Sequence, residues 1–186
     1  MPAINDAKIL MISTHGFEQS ELEFPRDQLR AKGAEVVVAT LDGKSIKGWE
    51  GSDWGRDAEA DAKIADVSAD GFDALVIPGG QINPDLLRVD ADVLKLVKAF
   101  HDQGKPIAAV CHAPWVLVEA GILKGRKATS YHSVKTDVIN AGADWEDCAV
   151  VVDQAIITSR MPDDLKDFVA KIVEEVEEGR HERKAA

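Results

Sequence analysis

The 186-residue sequence predicts an α/β fold: a mostly parallel sheet with helices on both faces. Three observations carry that expectation. Short, nearly continuous apolar runs recur along the chain, the pattern of strands buried on both faces. Segments of helical spacing, about 10 to 15 residues long, separate them, as crossovers between parallel strands require. Polar or Gly-rich stretches follow the strands, where the crevice of such a sheet lies.

Lys8 to Ser13 (KILMIS) is the first buried strand. After the polar Thr14 to Gln19, a helix is expected over Glu21 to Lys32, with Leu22 and Leu29 inward and Gly33 as its stop. Pro25 would sit in its first turn, where a missing N–H does little harm. Glu35 to Thr40 (EVVVAT) is the second strand. Leu41 to Asp66 is Gly-rich and aperiodic, an insertion of loop and hairpin in which Ile46 to Trp54 is partly extended and Trp49 and Trp54 serve packing. Ala74 to Ile77 is the third strand, ending in Pro78-Gly79-Gly80. Asp90 to Gln103 is an amphipathic helix with Val93, Leu94, Val97 and Phe100 on one side. Ile107 to Val110 is the fourth strand, followed by a helix over Ala113 to Ala120. A short strand (Lys127 to Thr129) and a short helix (Val134 to Ala141) come next. Val150 to Val152 and Ile156 to Thr158 are β-rich, with a tight-turn signal at Asp153-Gln154. Pro162 to Glu178 is the last helix, with Asp163 and Asp164 near its positive end, and Gly179 to Ala186 is a polar tail. With no repeat, low-complexity tract or linker, one domain over 1–186 is expected.

Composition narrows the function. Hydrophobic residues make up 45% and charged residues 30% of the chain, as in a soluble globular protein. A net charge of −11 argues against nucleic acid and against an anionic membrane surface as partners, since both need basic residues. No apolar run approaches the roughly 20 residues of a membrane span. Met1 to Lys8 has no export pattern, and Cys111 and Cys148 form no metal spacing. A cytoplasmic protein without metal is the expectation.

The chemistry centres on Cys111, which stands between the fourth strand and the following helix. Such a turn exposes a nucleophile, and the helix N-terminus and the adjacent His112 favour a thiolate. Cys148 lacks this context and reads as structural. A base needs an orienting acid, and Asp85 after the Gly-rich loop is the candidate, with a helix cap as its alternative role. His132 at the crevice edge is either a solvated loop residue or an alternative base. Gly79-Gly80 has neither the dinucleotide nor the phosphate-loop pattern, so it reads as an oxyanion-donor loop. Glu21 either favours the start of its helix or is held protonated beside the thiolate. His15, His101 and His181 read as solvent-facing.

With these residues in place, the chain resembles the ThiJ/PfpI family, above all its PfpI-type intracellular proteases and general stress proteins. The matching motifs are F-E-Q-S-E-L-E-F-P (17–25), L-V-I-P-G-G (75–80), N-P-D-L-L-R (83–88), G-K-P-I-A-A-V-C-H-A-P (104–114), L-K-G-R-K-A-T-S-Y (123–131), D-V-I-N-A-G-A-D-W (137–145) and T-S-R-M-P-D-D-L (158–165). The resemblance implies a flavodoxin-like three-layer sandwich related to class I glutamine amidotransferases. It implies Cys111 as nucleophile with His112 beside it, and Glu21 hydrogen-bonded to the cysteine. Gly80 and the His112 N–H would form the oxyanion hole. Asp85 would act from an adjacent subunit, so a homo-oligomer, dimer or hexamer, is implied. No cofactor is implied. Position 113 departs from the family: Ala stands where Gly is usual, harmless if that residue is already helical and strained if its φ is positive.

Three functions follow as expectations. The first is a cofactor-independent enzyme acting on small dicarbonyls or on glycated protein and peptide, of glyoxalase III or deglycase type. The second is a cysteine peptidase using Cys111, His112 and Asp85. The third is a non-enzymatic redox sensor or stress chaperone.

Overall fold

A computed structural model describes residues 2–179; the predicted tail beyond Gly179, with His181, lies outside the described residues. The elements in chain order are β1 (Lys8–Ser13), β2 (Phe17–Glu18), α1 (Gln19–Ala31), β3 (Glu35–Thr40), β4 (Ile46–Glu50), β5 (Asp53–Ala58) and β6 (Ala62–Lys63). There follow β7 (Ala74–Ile77), α2 (Ile82–Leu87), α3 (Ala91–Asp102), β8 (Ile107–Val110), α4 (Pro114–Glu119), β9 (Lys127–Ala128) and α5 (Lys135–Asn140). The chain closes with β10 (Asp144–Trp145), β11 (Val150–Asp153), β12 (Ile156–Ser159) and α6 (Leu165–Glu178).

The main sheet runs β11-β12-β8-β7-β1-β3-β6, and every pair but β11–β12 is parallel. From β1 the chain builds outward to β3 on one side, then returns to add β7, β8 and β12 on the other. That is the flavodoxin-like order, with its switch point between β1 and β7. The strands alternate their apolar side chains between two cores. Leu10, Ile12, Leu75, Ile77, Ile107 and Ala109 pack with α2 to α5 through Leu87, Phe100, Leu117 and Val138. Ile9, Met11, Val36, Val76 and Val110 pack with α1 and α6 through Leu22, Leu29, Phe168 and Ile172. The sheet is therefore the middle of three layers, as the buried runs require, and the carboxyl ends of β1, β7, β8 and β12 gather along one edge.

Local differences from expectation have local causes. Helix α1 starts at Gln19, two residues before the expected start, which puts Pro25 in its interior rather than its first turn. There Pro25 offers no N–H to the Glu21 carbonyl one turn earlier. The insertion over 41–66 is a hairpin, β4–β5, whose β4 pairs with β2, followed by β6, which rejoins the main sheet beside β3. β2 and β6 were not predicted: two residues are too few to show a period. The β11–β12 turn places Gln154 (φ 49°) and Ala155 (φ 62°) at its two left-handed positions, one residue later than expected. Asp90 caps α3, its Oδ1 accepting from the Asp92 and Val93 N–H groups at 3.0 Å. Asp164 does not cap α6; its carboxylate is held by Arg160 instead.

Candidate active site

Cys111 is buried at the end of β8 with φ 63°, a left-handed conformation for a residue with a Cβ. Such a conformation costs about 1–2 kcal/mol and persists only when the surroundings enforce it. They do so through the backbone. The Cys111 N–H donates to the Ser159 carbonyl at 2.9 Å, and the Tyr131 N–H donates to the Cys111 carbonyl at 2.8 Å. Ala113 is in the right-handed helical region (φ −57°, ψ −27°), so its Cβ is harmless. The strain of the elbow sits on the cysteine itself.

The sharp turn brings two adjacent side chains together. Cys111 Sγ lies 3.0 Å from His112 Nδ1, and His112 Nε2 lies 3.1 Å from Ser133 Oγ. The imidazole stacks on Tyr131 at 4.9 Å and meets Trp115 edge-on at 5.3 Å. Burial, together with the nearby His132, holds the His112 pKa below its ordinary 6.5. A neutral ring with its proton on Nε2 satisfies both contacts: Nδ1 accepts from the thiol and Nε2 donates to Ser133.

Glu21 projects from the first turn of α1 and is fully buried. Its Oε2 accepts from the Gly79 N–H at 2.9 Å. Its Oε1 lacks a partner of good hydrogen-bond geometry, and Cys111 and the Gly80 N–H are the other polar groups that act on the carboxyl. Burial is the largest influence and raises the Glu21 pKa to about 8, so the carboxyl is mostly protonated at neutral pH. Burial also pushes the Cys111 thiol up, and an ionised Glu21 would push it further. The expected lowering of the thiol pKa is thus corrected. The elbow exposes too little of the sulfur, and α4, with six residues, is too short to outweigh desolvation. What favours the thiolate is local: the N–H groups of Gly80 and His112 both act on the sulfur.

The glycine loop is shaped by contact. A Cβ on Gly79 would lie 2.5 Å from Glu21 Oε2 and 2.7 Å from Cys111 Cβ, and one on Gly80 (φ 80°) would run into the backbone of Gly16 and Glu18. Asn83, missed in the sequence, ties this loop to the end of β1. Its Oδ1 accepts from the Thr14 N–H at 2.7 Å, and its Nδ2 donates to the Pro78 and Gly79 carbonyls at 2.8 and 3.2 Å.

The structure joins Glu21, Gly80, Cys111 and His112 in one cleft of about 430 Å³, with Glu18, Trp49, Tyr131 and Pro162 completing its walls. Asp85 is not joined to them within the chain. It is exposed on α2 and makes no hydrogen bond or ion pair among the described residues, while Ser133 occupies His112 Nε2. His132 is exposed beside Tyr131, with 4.3 Å between the ring centroids, and acts on His112 through its charge. Cys148 is exposed and does not line the cleft. Trp49 packs edge-on against Trp54 and also lines the cleft, more than the packing role expected. Tyr131 ends a quoted motif and Ser133 lies two residues beyond it, yet no spacing signals their contact with His112. His15 is exposed as expected, whereas His101 is half-buried beside Arg126. Among the described residues no three His, Cys, Asp or Glu side chains are grouped to hold a metal, and no helix is long and apolar enough to cross a membrane.

Comparison with known proteins agrees with this geometry. Residues 7–175 match the DJ-1/PfpI family. Deglycase PfpI of Pyrococcus furiosus is 39% identical over 166 residues, 89% of this chain and 97% of that one. General stress protein 18 of Bacillus subtilis is 44% identical over 163 residues, 87% and 92% of the two chains. The crystal structure of Drosophila melanogaster DJ-1beta superposes with a TM-score of 0.83 at 33% identity, covering 92% of this chain and 94% of that one. The order of the sheet, the strained cysteine and the buried glutamate thus sit in a chain that belongs to the DJ-1/PfpI family.

Proposed function

We propose that this protein is a cofactor-independent deglycase that removes early dicarbonyl adducts through Cys111 and turns the released dicarbonyl unit into a hydroxy acid. The observation that carries the reading is the 3.0 Å contact of Cys111 Sγ with His112 Nδ1, beside a buried carboxyl that stays mostly protonated near neutral pH. With an aminocarbinol of methylglyoxal, His112 takes the thiol proton and the sulfur attacks the carbinol carbon. The S–C bond forms, the C–N bond breaks, and His112 returns the proton to the departing amine. Free methylglyoxal reaches the same hemithioacetal by addition, its carbonyl pair becoming an oxyanion held by the Gly80 and His112 N–H groups before it is protonated. Glu21, with a pKa of about 8, has an accessible carboxylate at neutral pH. It takes the proton from the sulfur-bearing carbon and returns it to the neighbouring one, leaving a lactoyl thioester. Water cleaves the thioester to lactate and regenerates the thiol.

An oligomer belongs to the proposal. Around Asp85, helix α2 and the turn after it expose Ile82, Leu86 and Val89, spaced as one apolar stripe. That stripe supports packing against a second copy, with Asp85 of the partner subunit approaching His112. Such a carboxylate would also serve a peptidase, and the carbonyl chemistry ranks first because it alone uses the buried Glu21 to move a proton between carbons.

The test follows lactate from methylglyoxal and free amine from its aminocarbinol, in a buffer without amines, beside cleavage of peptide substrates. Cys111→Ser lowers both carbonyl activities by roughly 10³-fold or more. Retained turnover in that variant overturns the proposal, and faster peptide cleavage than carbonyl turnover replaces it with the peptidase.

A further inference from the structure

The cleft carries more information than its reacting atoms use. Its two nearest walls come from neighbouring strands: Glu18 of β2 and Trp49 of β4 are direct partners across the ladder, and both line the cleft. Trp49 is fixed in place. Its Nε1 donates to the Gly51 carbonyl at 2.9 Å, and its ring packs edge-on against Trp54 at 5.5 Å. The hairpin that carries it is pinned as well. Gln19 Oε1 accepts from the Arg56 N–H at 2.6 Å, and a Cβ on Gly48 would lie 2.7 Å from that same oxygen.

The charge of the cleft is one-sided. The carboxyls lining it are those of Glu18 and Glu21, of which Glu21 is mostly protonated at neutral pH, and no lysine or arginine lines it. Glu50, next to Trp49 on β4, acts on Glu18 as a second carboxylate and raises its pKa together with burial. Neither Glu18 nor Glu50 forms an ion pair among the described residues; the Ser20 hydroxyl hydrogen-bonds the Glu18 carboxyl, Arg56 acts on Glu50 through its charge, and the Arg56 guanidinium is held by Glu23 at 2.6 Å. An aromatic wall with an uncompensated carboxylate beside it fits a planar cation, which can stack on the ring while donating to the carboxylate.

We infer that Glu18 and Trp49 select a guanidinium-bearing carrier, so that the preferred substrates are dicarbonyl adducts on arginine side chains rather than on neutral thiols or anionic nucleotides. The inference rests on the deglycase reading for the identity of the adduct, but the recognition of the cation stands apart from the chemistry. The carboxylates at the cleft repel a phosphate-bearing carrier, and a neutral carrier gains nothing from them.

The experiment has a binding arm and a turnover arm. N-acetyl-argininamide and its neutral isostere N-acetyl-citrullinamide are titrated into the wild-type protein, Glu18→Gln, Trp49→Phe and Trp49→Leu, with binding followed by NMR and folding checked by thermal melts. The wild type binds the argininamide about tenfold tighter than the isostere; Glu18→Gln reduces that ratio to about twofold, Trp49→Phe keeps most of it and Trp49→Leu loses it. In the turnover arm, methylglyoxal adducts of N-acetyl-argininamide, N-acetyl-cysteinamide and GMP are compared. kcat/KM falls in that order, by about tenfold at each step and chiefly through KM. Equal affinity for argininamide and the isostere overturns the inference, as does a Glu18→Gln variant with an unaltered ratio. Equal kcat/KM on all three carriers overturns it while leaving the deglycase reading intact. Cation-selective binding without turnover of any adduct supports it and overturns the deglycase reading instead.

Discussion

Replacing Glu21 by Gln should stabilise the protein while abolishing its activity. The carboxyl is fully buried, and its pKa rises from 4.5 to about 8 on folding, with burial as the main cause. At pH 7 the unfolded chain therefore carries an ionised Glu21 and the folded chain a mostly neutral one, so folding must take up a proton against the solution pH. At about 1.4 kcal/mol per pKa unit this costs about 3 kcal/mol at pH 7. The stability linked to the neutral group is fully present below pH 4.5 and is lost as the pH rises through about 8. Gln is neutral at every pH, keeps an acceptor for the Gly79 N–H and offers an N–H toward the sulfur. Glu21→Gln should then be about 3 kcal/mol more stable at pH 7, roughly 6–12 °C in Tm for a chain of this size, and equal to wild type at pH 4. Its amide cannot move a proton between carbons, so turnover is lost. Denaturant melts from pH 4 to 8.5 on both proteins provide the assay. A variant less stable than wild type at pH 7, or one with the same pH slope, refutes the placement of an uncharged carboxyl beside Cys111.

Two more outcomes follow. The kcat/KM of the wild type on methylglyoxal should rise with pH. It is low well below 6.5, where His112 becomes charged and can no longer accept the thiol proton, and it climbs further toward pH 8 as Glu21 ionises into the base that moves the carbon proton; a fall between pH 7 and 8 refutes that role of Glu21. Gly80→Ala should lose roughly 2–4 kcal/mol of stability and most activity, because its Cβ meets the Gly16 and Glu18 backbone, which cannot move aside; Gly51→Ala, at φ 65° in open space, should lose only about 1 kcal/mol. Chemical denaturation of the two variants side by side checks the contrast.

The core strands were readable because burial on both faces leaves an unbroken apolar run, as in IAAV before Cys111 and ALVI before Pro78. The elbow at Cys111 was readable because a cysteine at a strand end followed by a helix has a mechanical meaning. The pair β2 and β6 was not, since two-residue strands carry no period and form only because β4 and β3 already stand beside them. Ser133 and Asn83 were missed for a related reason. Ser133 meets a residue 21 positions away and Asn83 Oδ1 one 69 positions away, and no local pattern records such a distance. The direction of the Cys111 pKa was misread because a sequence shows the helix N-terminus but not the depth at which the sulfur lies.

By itself the sequence determined a sheet with helices on both faces, the positions of the main strands along the chain, the elbow cysteine and the glycines after β7, because hydrophobic period and turn chemistry are local. Only the tertiary structure decided how the site is wired. It set Glu21 in a pocket that keeps it protonated, gave His112 Nε2 a partner in Ser133 of the same chain, and turned Trp49 from a packing residue into a wall of the cleft. Each of these depends on desolvation or on contact between segments far apart in the chain, quantities that exist only once the sheet has brought its strand ends together.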